Sequence, residues 1–478
     1  MLFNSLSYAL FLWTVFVLWW ALRNRRPLRH AMVLAASLWF YSLAPTAVVW
    51  LLVGTTLVEY VTGGRIHLAR QAGKPQLAKR WLWVSLAVNL GTLAVFKYFD
   101  FFSESVQQTL HGFGIEVSTV RLGLMLPLGI SFFTFQTLSY SLDIYKGYLK
   151  PTRTLLDFAT YSAFFPQLVA GPIVRATDFL PQMEAPAPPT RERIGRGLYQ
   201  ILQGLSKKLL LADVLGSTLV DPVLRDPEAL ARLDAAAVLL LGLGFMIQLY
   251  GDFAGYSDIA IGSARLLGFD LRMNFNSPLR SATVEEFWRR WHISMSTWFR
   301  DYLFAPLAGR RPSLVRLQVA TFLTFVIVGL WHGATWTFIA FGAIHGAVLV
   351  GARLFRKWTD EAAFRKAPWW WWTCFLSTLV FVCLTSLLYR SPDVGDWLLI
   401  MRGLGNWSLH GLSLPWQVWL ILATGVATHM LPQARVDRVE RAFVALPAAL
   451  QATLFVAAML LFFGLRPPGA SPFIYFQF

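Results

Sequence analysis

Charge is scarce in this chain. Of its 478 residues, 14% are charged and 56% are hydrophobic, and the mean hydropathy is +0.51. Soluble domains carry about a quarter charged residues, so an ordinary soluble fold is excluded. Cysteine is nearly absent. Cys374 and Cys383 share one apolar run, and on a helix their separation is about 13 Å of rise, beyond disulfide reach. A disulfide framework is therefore excluded, and both read as passive helix residues. No basic segment precedes the apolar run 5–22, and no small-residue cleavage site precedes Arg23. That run is expected to stay as a spanning helix rather than leave as a signal peptide. No internal repeat is visible, which argues against an inverted-repeat transporter. What the chain has in excess is aromatic and basic: 21 Trp, 38 Phe and a net charge of +16. Trp and Phe suit interfacial belts and lipid-facing helices. The Lys and Arg cluster between apolar runs, as in cytoplasmic loops, rather than forming a nucleic-acid surface. The fold class expected is an all-α polytopic membrane protein.

Loop charge orients the crossings. Arg23, Arg25, Arg26 and Arg29 follow the first run, which places that turn in the cytoplasm and the N-terminus outside. Residues 31–44 and 46–62 are expected to form a hairpin around Pro45. It leads to a second basic loop with Arg65, Arg70, Lys74, Lys79 and Arg80. Residues 81–102 go out again, 103–120 read as an outer loop, and 127–147 return. The stretch 155–175 is short and broken by Pro and Gly, with basic residues on both sides. It is expected to be re-entrant or in-plane and buried in protein, where irregular backbone is tolerated. Residues 183–193 read as a Pro-rich cytoplasmic linker. Further crossings are expected at 198–220, 235–262, 369–389, 414–431 and 446–465, leaving the C-terminus outside. The organisation predicted is 1–120 N-terminal helices, 121–465 core, and 466–478 an extracytoplasmic tail.

Residues 272–316 hold eight arginines, too many for a crossing. Yet 281–309 has helical patterning: Thr283 and Glu286 have capping-box spacing, and Glu285–Arg289 and Glu286–Arg290 are i,i+4 pairs. One or two amphipathic helices are expected at the cytoplasmic face. Arg289, His292 and Ser296 would share a face. Arg289, Arg290 and Arg300, together with Trp331, are candidates for binding the donor, the arginines holding an anionic group such as a nucleotide diphosphate or a coenzyme A phosphate; the competing reading of the arginines is simple positive-inside placement.

The run FVIVGLWHGATWTFIAFGAIHG (325–346) centres on His332. An ionisable group at membrane depth is a functional candidate, and a neutral imidazole can act as a general base. The alternatives are a wet interfacial turn or a buried histidine bonded to a carbonyl. Trp331 and Trp336 are expected to wall the site, and Gly333 to permit close backbone approach. His345 is a weaker functional candidate and reads rather as a structural hydrogen-bond partner. Asp252 and Asp258, acids within an apolar run, point either to a polar cavity or to the membrane edge. No metal-ligand spacing stands out.

The segments 127–147, 164–183, 248–278, EEFWRRWHISMSTWFRDYLFAPLAG, GLWHGATWTFIAFGAIHG and the terminal FIYFQF, taken in order, resemble the membrane-bound O-acyltransferase family. Within it they are most similar to the alginate O-acetyltransferase branch. The resemblance implies a helix bundle around a central funnel, with re-entrant and in-plane helices. It implies acyl transfer to a hydroxyl, with His332 as the catalytic histidine and His292 as the second functional one. It further implies acetyl-CoA as the cytoplasmic donor, location in the bacterial inner membrane, and acetyl groups ending on exopolysaccharide or peptidoglycan. The chain shows no GxSxG element, so a periplasmic SGNH-type acetyltransferase is implied as a partner. Two other readings stay open: a transporter for a polyanion or lipid-linked sugar, and D-alanyl transfer within the same family.

Overall fold

The computed structural model describes residues 3–44, 46–169, 171–359, 362–408, 414–466 and 473–474. Among the described residues every regular element is a helix. Among the described residues five helices are long and apolar enough to cross a membrane: Pro75–Gly112, Ala235–Leu266, Leu314–His332, Trp336–Trp358 and Pro368–Tyr389. A bent pair, Gln433–Ala445 and Ala448–Gly464, turns through 120° and makes a sixth if counted as one span. Together with the shortage of charge, this makes the chain an all-α, multi-pass membrane protein. Pro45 and most of the tail 466–478 lie outside the described residues.

The chain divides into two compact units: residues 1–198 with 260–272, and residues 199–259 with 273–478. In the first unit the stretch 155–175 is broken as expected. Helix Leu155–Ala163 starts at Thr154, whose side chain accepts from the Asp157 N–H, and stops at Phe164. A single turn, Phe165–Leu168, follows. The freed backbone is satisfied inside the protein: Gln136 and Gln167 both donate to the Tyr161 carbonyl, at 2.8 and 2.6 Å, and the Tyr161 hydroxyl donates to the Val174 carbonyl at 2.9 Å. Phe158, Phe164, Phe165 and Phe179 close around it with no exposure. Elsewhere in this unit, buried Glu59 accepts from Ser85 (2.6 Å), Asn89 (2.5 Å) and Ser141. That network ties helices Val49–Gln71, Pro75–Leu93 and Ile130–Lys146 through polar contacts, which hold where apolar packing alone has no driving force.

Several boundaries differ from expectation. The helix expected over 81–102 continues to Gly112 through a π-helical turn at Ala94–Tyr98, so 103–120 is only partly a loop. The presumed linker at 183–193 begins inside helix Ala176–Glu184 and ends inside helix Arg191–Leu205. The stretch 198–220 is not one α-helix, because π-helical turns at Ser206–Ala212 and Gly216–Val220 interrupt it. The region after residue 390 carries helix Val394–Arg402, capped by Asp393.

The second unit holds the hairpin of Leu314–His332 and Trp336–Trp358. Ser313 caps the first arm, accepting from the Arg316 N–H at 3.2 Å, and Gly333 ends it. The arms meet backbone to backbone. A Cβ at Gly329 would lie 2.2 Å from the Phe338 carbonyl oxygen, and one at Gly342 would lie 2.2 Å from that of Phe325. Small residues at both crossing points allow this approach, and they fix the turn that carries His332.

Candidate active site

His332 is the last residue of its helix and 4% exposed. Its ring is walled by Trp331 (centroids 4.9 Å apart), Tyr389 (5.3 Å), Phe338 (6.4 Å) and Phe341 (6.5 Å). Tyr389 also packs edge-on against Phe338 and Phe341, each at 4.8 Å. Trp336, expected as a second wall, is 55% exposed; it opens the next helix and faces outward. Gly333 is demanded by side-chain packing, since a Cβ there would meet the Phe338 ring at 2.2 Å.

Trp331 links the two histidines. Its indole lies 5.9 Å from the His292 ring as well as against His332. His292 has no exposure, and Phe253 stands edge-on to it at 4.6 Å. It occupies the left-handed region, φ 42° and ψ 55°, between helices Val284–Arg290 and Ile293–Phe299. Non-glycine residues rarely sit there, and such conformations persist where surrounding contacts over-determine them. Those contacts come from the segment 274–276: Ile293 N–H donates to the Asn274 carbonyl at 2.9 Å, and Asn276 N–H to that of Arg290 at 3.0 Å.

The side chain of Asn274 sets the tautomer. Its Oδ1 accepts from the Ser294 backbone N–H (3.2 Å) and the Ser294 hydroxyl (2.9 Å). A backbone N–H can only donate, so that atom is oxygen. His292 Nδ1, 3.1 Å from it, is therefore the protonated nitrogen, and Nε2 carries the lone pair. Burial pushes the His292 pKa down to about 3, so the ring is neutral at pH 7. This chemistry is that of a base or hydrogen-bond acceptor.

His345 is saturated. Trp288 Nε1 donates to its Nδ1 at 3.1 Å, and Nε2 lies 3.0 Å from the Thr385 hydroxyl. It is a structural hydrogen-bond partner, as expected.

The arginine face is corrected. Arg289, His292 and Ser296 do not share one helix face, because the chain breaks at residues 291–292 between two short helices. The Arg289 side chain is 67% exposed while His292 is buried. The capping box forms with a shift: Thr283 Oγ1 accepts from Glu286 N–H, and the Glu286 carboxylate reaches back to Ala282 N–H at 2.9 Å. Arg289 pairs with Glu285 (3.6 Å), Arg290 with Glu286 (2.8 Å) and Arg300 with Asp301 (2.7 Å). Each guanidinium thus has a carboxylate on its own segment, which reduces what it offers a donor phosphate.

The two aspartates are held by lysines. Buried Asp252 takes Lys208 at 2.5 Å and the Ile474 N–H at 2.7 Å. Lys208 also pairs with Asp213 at 2.7 Å. Asp258 takes Lys207 at 2.6 Å and Gln200 at 3.3 Å. These are ionic ties between neighbouring elements. Among the described residues no group of three or more His, Cys, Asp or Glu can hold a metal ion.

Residues 148–390, which contain both histidines, match the profile of the membrane-bound O-acyltransferase (MBOAT) family. The "Probable alginate O-acetylase AlgI" of Azotobacter vinelandii is 37% identical over 83% of this chain and 77% of its own length. That of Pseudomonas putida is 33% identical over 94% of both chains. The chain belongs to the membrane-bound O-acyltransferase family. A "Peptidoglycan O-acetyltransferase" of Helicobacter pylori is also similar, at 33% identity over 79% of this chain and 74% of the relative. This MBOAT protein is accordingly an acyltransferase, similar to alginate O-acetylases over most of its length, and the transporter reading falls away. Sequence motifs located its two histidines. They did not reveal Asn274 as the tautomer-setting group or Tyr389 as a wall of the site. Asn274 lies within the quoted segment 248–278, but nothing in its local pattern announces a partner eighteen residues on.

Proposed function

We propose that this chain is an inner-membrane O-acetyltransferase. It takes acetyl from cytoplasmic acetyl-CoA and passes it toward a periplasmic acceptor for exopolysaccharide O-acetylation. The observation that carries the reading is the buried His332, braced by the glycine-packed hairpin and joined to His292 through Trp331. The basic loops support the orientation, with both termini periplasmic. Alginate is the first choice of polymer because relatives aligned over 83% and 94% of the chain bear that name; cellulose and peptidoglycan are the further options, and the Helicobacter relative supports the latter.

In this mechanism His332 accepts the proton of an acceptor hydroxyl as its oxygen attacks the thioester carbonyl. The tetrahedral intermediate expels the coenzyme A sulfur, which takes that proton, leaving free CoA and an acetyl ester. His292, neutral and presenting Nε2, orients the donor or relays the proton. Arg289, Arg290 and Arg300 contribute positive charge near the donor without being its sole cradle. An SGNH-type acetyltransferase in the periplasm receives the group and finishes polymer acetylation.

The test is release of free CoA from acetyl-CoA by proteoliposomes containing the purified protein and its partner. Wild-type protein should release CoA and load the partner. A His332→Ala protein that transfers acetyl at the normal rate would sink the assignment. D-alanyl transfer is excluded if acetyl-CoA serves and a D-alanyl carrier protein does not.

A further inference from the structure

A cluster in the first unit takes no part in the chemistry above. Trp19, Arg29 and His30 are 0%, 5% and 0% exposed. The Arg29 guanidinium carbon stands 4.5 Å from the Trp19 ring centre. The His30 ring runs within 13° of parallel to the same indole at 6.2 Å. Three buried polar atoms here have no hydrogen-bond partner: Trp19 Nε1, Arg29 Nε and His30 Nε2.

The local charge is one-sided. The nearby carboxylate, Asp157, is shared by His30 Nδ1 (2.8 Å) and Arg26 (3.3 Å), and no ion pair joins it to Arg29. Burial holds the His30 pKa below its ordinary value while Asp157, accepting from Nδ1, opposes that; an anion beside Nε2 would add to the effect of Asp157 and let Nε2 take a proton and donate it. Arg26 and Arg29 belong to the first turn of the seventeen-residue helix Arg26–Ser42, which has no side-chain cap and no acid in that turn. At this helix start Pro27 has no N–H and the Arg29 N–H bonds the Arg25 carbonyl at 2.9 Å, which leaves those of Arg26 and Leu28 and the partial positive charge of the helix end, a setting in which phosphates bind. A buried guanidinium without a counter-charge is costly, so these groups are arranged for an anion that the chain does not itself supply.

We propose that Trp19, Arg29, His30 and the first turn of helix Arg26–Ser42 bind the phosphate of an anionic phospholipid headgroup. The shared chemistry is a phosphate group, and the adjoining surface favours a lipid as its source. Helix Leu6–Ala21, which leads into the basic turn, exposes Leu6, Leu10, Trp13 and Val17. That is an apolar face along which acyl chains can lie while the headgroup reaches Arg29. Basic residues beside a membrane-facing helix are a recurring arrangement for anionic lipids.

The experiment is native mass spectrometry of the full chain released from phosphatidylcholine nanodiscs doped with phosphatidylglycerol. Wild-type protein should retain phosphatidylglycerol preferentially. Arg29→Gln should lower that retention about tenfold, the loss of one charge-assisted hydrogen bond, while exposed Arg232→Gln leaves it unchanged. Trp19→Phe keeps the ring and removes the N–H; it should give a smaller loss, and it carries the test if Arg29→Gln does not fold. Equal retention by wild type and both variants overturns the site. Displacement of the lipid by millimolar inorganic phosphate would make free phosphate the ligand and overturn the lipid assignment.

Discussion

Oδ1 of Asn274 lies 3.1 Å from Nδ1 of His292, and it is known to be an acceptor because the Ser294 N–H also points at it. One amide thus decides which imidazole nitrogen is basic. Asn274→Ala should free the ring to adopt either tautomer and to rotate. We expect kcat to fall about 5- to 150-fold, the cost of about 1–3 kcal/mol for leaving the buried Nδ1–H without its acceptor, with KM changed less. Steady-state kinetics with acetyl-CoA checks this; an unchanged kcat removes Asn274 from the mechanism.

His332→Ala should lower kcat by at least about a hundredfold, the lower end of general-base contributions. Thermal melting in detergent should move little, because the ring sits at a helix end. A large fall in melting temperature would recast the residue as structural.

Gly342→Ala tests the hairpin. Its Cβ would lie 2.2 Å from the Phe325 carbonyl oxygen, so the helices must separate. Overpacking of this kind costs about 1–3 kcal/mol. Because His332 ends the facing arm, the one that carries Phe325, activity should fall along with melting temperature. Gly351, with nothing within 4 Å of an added Cβ, is the control, and Gly351→Ala should be neutral or slightly stabilising.

Acid should loosen the region around His292. Its pKa is about 3 in the folded protein against an ordinary 6.5. The unfolded chain therefore binds a proton that the native chain refuses. Stability from this group is complete above pH 6.5 and is lost as the pH falls toward 3, by up to about 1.4 kcal/mol per unit. His292→Asn removes the titration and tolerates the left-handed backbone. Its melting temperature should depend less on pH over that window than the wild type's. Identical slopes would contradict the buried, neutral imidazole.

Lys208 is 1% exposed and sits between Asp213 at 2.7 Å and Asp252 at 2.5 Å. Lys208→Met would leave two buried carboxylates facing each other. Breaking a buried pair from one side costs about 3–5 kcal/mol. The triple change Lys208→Met, Asp213→Asn, Asp252→Asn should recover much of that loss. Failure of the triple variant to recover would show that Lys208 acts through packing instead.

By itself the sequence determined the solvent and the class of fold. Scarce charge, long apolar runs and basic punctuation allow little except helices in a bilayer, because unpaired backbone is intolerable there. It also exposed His332, since an imidazole between apolar runs is conspicuous, whereas His292 stood out only through the resemblance of its motif to the family. It could not show where helices break into π-turns at Ser206–Ala212, nor that the presumed outer loop at 103–112 is helical. Those outcomes depend on packing that local pattern does not encode. The aspartates show the limit most clearly. In a linear string Asp252 and Asp258 fit a polar cavity or the membrane edge equally, and Lys207 and Lys208 fall inside the run 198–220 that is expected to cross. Folding brings them together as pairs, and each then explains the other. The same holds for Asn274, Trp331 and Tyr389. Their roles exist only as contacts between elements distant in sequence, and only the tertiary structure assembles them around the two histidines.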